Sequence, residues 1–124
     1  MNINEYIREY KSVRELDSHH ELPPVKIQKV PHVVCKDGFK MSVQAGESLY
    51  SSPRVVADEY VEVEVGYPSE QEVLLEKYAE GASFDEEIEY TNTVYPYVPV
   101  EVVDEVIEKH GGIDESAIDE EAVA

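Results

Sequence analysis

The chain has 124 residues, 42% of them hydrophobic, enough for one domain that buries about two thirds of its unfolded surface. With Asp+Glu 28 against Lys+Arg 10 the formal net charge is −18, which opposes simple binding to DNA, RNA or an anionic membrane. Two uses of such a charge stay open: capture of a small anion by a local cradle inside a field screened beyond about 10 Å, and imitation of nucleic acid.

In chain order, residues 3–16 are predicted to form one helix. Asn4 is its expected cap, and Ile3, Tyr6, Ile7, Tyr10, Val13 and Leu16 recur at three- and four-residue spacing. Pro23 and Pro24 end the linker that follows, in which His19 and His20 read as solvated. The stretch "VKIQKVPHVVC" alternates until Pro31 and predicts an edge or bulged strand. "KDGF" then turns the chain into a second strand, "FKMSVQA". In "YVEVEVGYP", Val61, Val63 and Val65 are expected on one face, Glu62 and Glu64 on the other. "SEQEVLLEKYAEG" has Ser69 and Glu72 at capping-box spacing and closes at Gly81, which predicts about three helical turns. "TVYPYVP" predicts a proline-bearing edge strand, and "PVEVVDEVIEKHGG" a helix with Pro99 near its start and Gly111 past its end.

These elements predict an α+β domain, a small antiparallel sheet packed with helices. Its prolines, edge strands and Tyr 9 point to a homo-oligomer. Residues 1–24 read as an N-terminal helix and linker, 25–113 as a ligand-binding core and 114–124 as a mobile acidic tail. A single cysteine, Cys35, leaves no intrachain disulfide and fits a reducing compartment. With no apolar leader or membrane-spanning run, the expected location is cytoplasmic.

No nucleotide-binding glycine loop, nucleophile elbow or zinc-protease signature occurs, so neither catalysis nor a cofactor is expected. His32 and Cys35 are spaced to fall on opposite faces of a strand, against a metal or thiol site. From Met41 onward the basic residues are Arg54, Lys77 and Lys109. Lys77 has Glu70, Glu76 and Glu80 for partners, and Lys109 complements the end of a helix dipole. Arg54, in the run "MSVQAGESLYSSPR" whose one acid is Glu47, has either a salt bridge to Asp58 or Glu59 or a ligand contact open to it. Thr91, Asn92 and Thr93 suit either a turn or phosphate oxygens. Tyr50, Tyr67, Tyr78, Tyr95, Tyr97 and Phe84 supply either core or a surface on which a base stacks.

The blocks "VQAGESLYSSPR" and "TNTVYPYVPVEVVDEVIEKHGGI", with "VEVEVGYPSE" between them, resemble a family of small acidic phage and prophage proteins, the first type of Thoeris anti-defence sponge. The resemblance covers roughly residues 25–113. It implies a non-catalytic protein of the infected bacterial cytoplasm that sequesters a cyclic ADP-ribose signal in pockets shared between subunits, with cyclic oligonucleotides as further ligands in similar proteins. It would place Asn92 with Thr91 and Thr93 at the phosphates, and Phe84 or a nearby tyrosine such as Tyr95 against the base; Arg54, kept clear of acids, is then expected to meet a phosphate that arrives with the ligand. Lys109 and His110 would line a pocket or the oligomer contact. Lys109 and Ile113 stand where the resemblance leads one to expect arginines, a departure that bears on any second, oligonucleotide site. The competing reading is an acidic mimic of nucleic acid that inhibits a host nuclease or CRISPR effector. Two uncharged, hydroxyl- and tyrosine-rich stretches favour nucleotide capture over the mimic.

Overall fold

The N-terminal helix ends sooner than its apolar spacing predicts. In the computed structural model, which describes residues 1–16, 23–81 and 87–118, helix α1 spans Ile3–Tyr10. Its cap is Asn2, not Asn4. The Asn2 side chain accepts from Glu5 N at 2.9 Å and the Glu5 carboxylate accepts from Asn2 N at 3.2 Å, a capping box. Asn4 lies inside the helix and clamps Tyr60, donating to its carbonyl at 3.0 Å and accepting from its amide at 2.8 Å.

After Lys11 the chain is extended. Strand β1 (Ser12–Leu16) pairs antiparallel with β2 (Val25–Lys29), from Ser12↔Lys29 to Leu16↔Val25. Five cross-strand pairs displace the helix that local spacing suggested there. As a result Val13 and Leu16, expected on a buried helical stripe, are 45% and 43% exposed.

The main sheet has the order β3-β4-β5-β6, antiparallel throughout, with β3 at Val33–Val34, β4 at Lys40–Gln44, β5 at Glu62–Gly66 and β6 at Val94–Pro99. The expected "KDGF" turn joins β3 to β4, Gly38 taking φ +97° and donating to Cys35 O at 2.9 Å. Along β5, Val63 and Val65 are fully buried, as alternation requires. Val61 precedes the strand and is exposed, so it does not share their face. Strand β6 is an outer strand, the position its prolines favour.

Helix α2 (Val100–Lys109) starts directly after Pro99. It closes with Gly111 at φ +92°, Gly112 N donating to Ile107 O and Gly111 N to Glu108 O; the left-handed turn explains the glycine. One core joins both helices to the sheet. Ile3, Tyr6 and Ile7 of α1 and Val103 and Val106 of α2 are as buried as Val43, Val63 and Val98. The first helix is therefore part of that core, not an appendage to it.

Two further expectations change. Residues 69–81 hold turns and a single 3-10 turn, Glu76–Tyr78, in place of a three-turn helix. Ser69 caps nothing helical; its Oγ accepts from Lys40 N at 2.9 Å, while Glu72 turns inward. The C-terminal segment also stays on the domain beyond residue 113. Asp114 N donates to Val34 O, Tyr10 Oη donates to Glu115 Oε1 and Ile118 packs against the core. The rest of the expected tail, 119–124, lies outside the described residues, as do His19, His20 and Phe84.

Candidate functional site

The loop that leaves β4 is built around a buried serine. Ser51 Oγ accepts from Gly46 N at 3.1 Å and donates to Pro53 O at 2.9 Å, gathering the loop onto itself. Arg54 emerges from it into solvent. Its Nε donates to Leu49 O at 2.9 Å and its guanidinium carbon sits 5.8 Å from the Tyr50 ring centroid. Tyr50 in turn lies 5.8 Å from Tyr97, the planes tilted by 55°.

Tyr97 reaches that position through a break in the ladder. Val63 pairs with Val98 but Val65 with Tyr95, so Pro96 and Tyr97 together oppose Glu64. This is a β-bulge, and it re-aims a side chain at the sheet edge. Tyr97 takes φ +52°, a left-handed conformation that costs a non-glycine residue about 1–2 kcal/mol. A bond from Tyr97 N to Tyr50 O at 3.1 Å holds it, and Tyr50 N is anchored on Glu64 Oε1 at 3.3 Å. Both rings are about 40% exposed.

The charges around Arg54 are notable for what they do elsewhere. Glu59, an acid the sequence offered as its partner, pairs with Arg8 at 3.5 Å. No carboxylate lies within 4 Å of the Arg54 guanidinium among the described residues. Two rings and a cation with no described carboxylate partner thus share one exposed patch.

Lys109 and His110 have the opposite surroundings. At the end of α2, His110 is buried, stacks on Phe39 with centroids 4.1 Å apart, and meets Asp37 Oδ2 through Nδ1 at 2.6 Å and Glu72 Oε1 through Nε2 at 2.7 Å. Lys109 Nζ donates to Glu72 Oε2 at 2.9 Å. Burial pushes the His110 pKa down, but hydrogen bonds and charge from Glu72 and Asp37 outweigh it and leave the value raised. Burial likewise pushes Glu72 up, and the Leu74 amide, His110 and Lys109 together hold it below its ordinary value. Asp37 is lowered by the Phe39 amide first and His110 second. With both ring nitrogens facing carboxylates, the protonated ring is the form these contacts favour, and neither nitrogen is left turned toward a metal or a substrate. It pins α2 to the β3–β4 turn and to the Glu72 segment.

The remaining candidates divide in the same way. Tyr95 is fully buried and donates to Tyr90 O at 2.5 Å; burial, with Tyr90 and Glu76 nearby, pushes its pKa up to about 12. It is core, which corrects its place in a base-stacking surface. Thr91 and Asn92 are exposed in a turn that Asn92 N closes by donating to Glu89 O, and Thr93 O accepts from Tyr67 N. That turn enters β6 beside Gly66, whereas Tyr97 lies five residues on, about 15 Å along a strand. One chain therefore does not bring Arg54, Asn92 and Lys109 to a common pocket. Lys77 stands 5.3 Å from the Tyr78 ring centroid and has no carboxylate within 4 Å among the described residues. Cys35 is buried, its thiol pushed up to about 11 by burial and then by Asp37, while His32 is exposed.

Sequence reasoning named Arg54, Tyr50, Tyr97, Lys109 and His110 but missed Asp37 and Glu72. No local signal marks Glu72, whose partner lies 38 positions away. No family profile, curated protein or solved structure matches this chain. The functional reading therefore rests on the residues themselves.

Proposed function

We propose that the protein is a non-catalytic binder that sequesters a cyclic nucleotide signal of the cyclic ADP-ribose type, as a phage anti-defence sponge acting in the bacterial cytoplasm. The observation that carries this reading is the Arg54 patch: an exposed guanidinium against the Tyr50 ring, which in turn meets Tyr97, with no carboxylate within 4 Å among the described residues. Arginine offers a planar fork of donors to phosphate, and the rings offer a face to a base. A carboxylate beside Arg54 would compete with the phosphate. Because Asn92 lies at the far end of β6, it joins Arg54 only if a second copy supplies it, which fits pockets shared between subunits. The engaged nitrogens of His110 favour binding over acid–base chemistry.

The test is to incubate the purified protein with extract from cells making such signals, wash it, heat it, and identify what is released by mass spectrometry. Release of an intact cyclic nucleotide is expected. A ligand recovered in hydrolysed form would contradict the absence of catalysis, and an empty eluate with potent inhibition of a basic nuclease would favour the mimic.

A further inference from the structure

Beside the Tyr50–Tyr97 pair lies a carboxylate with only one of its oxygens in use. On β5, Glu62 and Glu64 point away from the core into which Val63 and Val65 pack, and both acids are half-buried. Glu64 stands opposite the bulge that carries Tyr97, and its Oε1 accepts from Tyr50 N at 3.3 Å. The carboxylate is thereby fixed beside the backbone that holds both rings. Its Oε2 has no hydrogen-bond partner among the described residues. Gln44, directly opposite Glu64 on β4, is already committed: its Nε2 donates to Val30 O at 2.8 Å and its Oε1 accepts from Val30 N at 3.0 Å. Arg54 and Glu64 thus flank Tyr50, the cation at its ring and the acid at its amide.

We propose that Glu64 binds the sugar of the captured nucleotide, its carboxylate accepting from the hydroxyls of the ribose that carries the stacked base, and that it makes the site select ribose over deoxyribose. An ionised carboxylate only accepts hydrogen bonds, so it repels a phosphate and suits a ribose, which offers neighbouring hydroxyl donors. A nucleotide is built of phosphate, sugar and base. The patch holds a guanidinium for the first, a carboxylate for the second and two rings for the third. A hydroxyl bound to a charged acceptor discriminates strongly, because an analogue without it leaves that acceptor unpaired. Glu62 has the same chemistry and lies on the same strand face, but it opposes Pro99 and not the bulge, which makes it the control. This role rests on the nucleotide reading of the Arg54 patch and adds the sugar to it.

Calorimetric titration of cyclic ADP-ribose, and of its analogues lacking the 2′- or the 3′-hydroxyl of the adenosine ribose, tests it on the whole chain. The unmutated protein is expected to bind the parent about tenfold or more tighter than at least one analogue. Glu64→Ala should bind all three alike, Glu64→Gln should show a reduced preference, and Glu62→Gln should keep the full one. Glu64→Gln retains an oxygen for Tyr50 N, so its ratio decides if Glu64→Ala fails to fold. A Glu64 that merely supported the loop would weaken parent and analogues equally when replaced and leave their ratio where it was. That result, or an unmutated protein that binds all three alike, would overturn the role of Glu64 and leave capture at Arg54 standing. No binding of any of the three by the unmutated protein would overturn the capture reading, and the role of Glu64 with it.

Discussion

Two cationic regions of this molecule meet opposite fates. At the end of α2, His110 and Lys109 are drawn into contact with Asp37 and Glu72; at the end of the β4–β5 loop, Arg54 is held away from every described acid and against tyrosine rings. Among the described lysines and arginines only Arg8 and Lys109 have a carboxylate within 4 Å, so what sets Arg54 apart is the pair of exposed rings beside it. A paired, buried cation holds the fold together; an exposed, unpaired one is available to a ligand. That contrast gives the two regions different expected responses to mutation.

The largest effect is expected at Glu72. Replacing it by Ala removes the partner of both His110 and Lys109 and leaves the buried His110 ring half satisfied, a loss of about 3–5 kcal/mol for a broken buried pair. Urea denaturation should show it. A change below about 1 kcal/mol, the scale of a surface pair, would mean that the cluster does not hold α2 in place. Arg54→Ala comes next and acts on binding instead. A charge-assisted bond to phosphate is worth about 1.5–3 kcal/mol, so capture should weaken about tenfold or more, with stability unchanged within about 0.5 kcal/mol.

Acidity sharpens the comparison further. His110 is raised in the folded chain, so its contribution is complete below its unfolded value near pH 6.5 and is lost as pH rises through the folded value. Asp37 and Glu72 are lowered, so theirs is present above about pH 4 and is lost as pH falls through their folded values. Thermal melts should therefore peak between about pH 5 and 6, and His110→Asn should flatten the alkaline side of the curve. A steeper alkaline decline in the variant would contradict the assignment. The smallest effect is expected from truncation before Asp114, about 1–2 kcal/mol, because it removes the Tyr10–Glu115 and Asp114–Val34 bonds and the packing of Ile118. Unaltered stability would return those residues to the status of a passive tail.

What could be read from the sequence follows how local its causes are. Helix α2 was legible because its signals adjoin it: Pro99 before, Gly111 after, Lys109 in its last turn. The β3–β4 hairpin was legible for the same reason, through "KDGF". The helix expected over 69–81 was not formed because Glu72, read as a capping partner of Ser69, is taken by His110, a tertiary ion pair that no spacing rule encodes. Residues 12–16 kept a helical spacing yet became a strand, since the ladder to β2 lies in residues beyond the linker. At the candidate site, Arg54 was legible as a compositional anomaly. The meeting of Tyr50 with Tyr97 was not, because it depends on a bulge in β6.

Calorimetric titration of cyclic ADP-ribose into the unmutated protein, Arg54→Ala and Glu72→Gln, with chromatography of the recovered nucleotide, bears most directly on the claim that the unpaired cation is the ligand's. Binding by the unmutated protein, binding about tenfold or more weaker in Arg54→Ala at unchanged melting temperature, near-normal binding in Glu72→Gln at temperatures where it stays folded, and intact nucleotide throughout are the predicted results. Equal binding by the unmutated protein and Arg54→Ala would contradict the account.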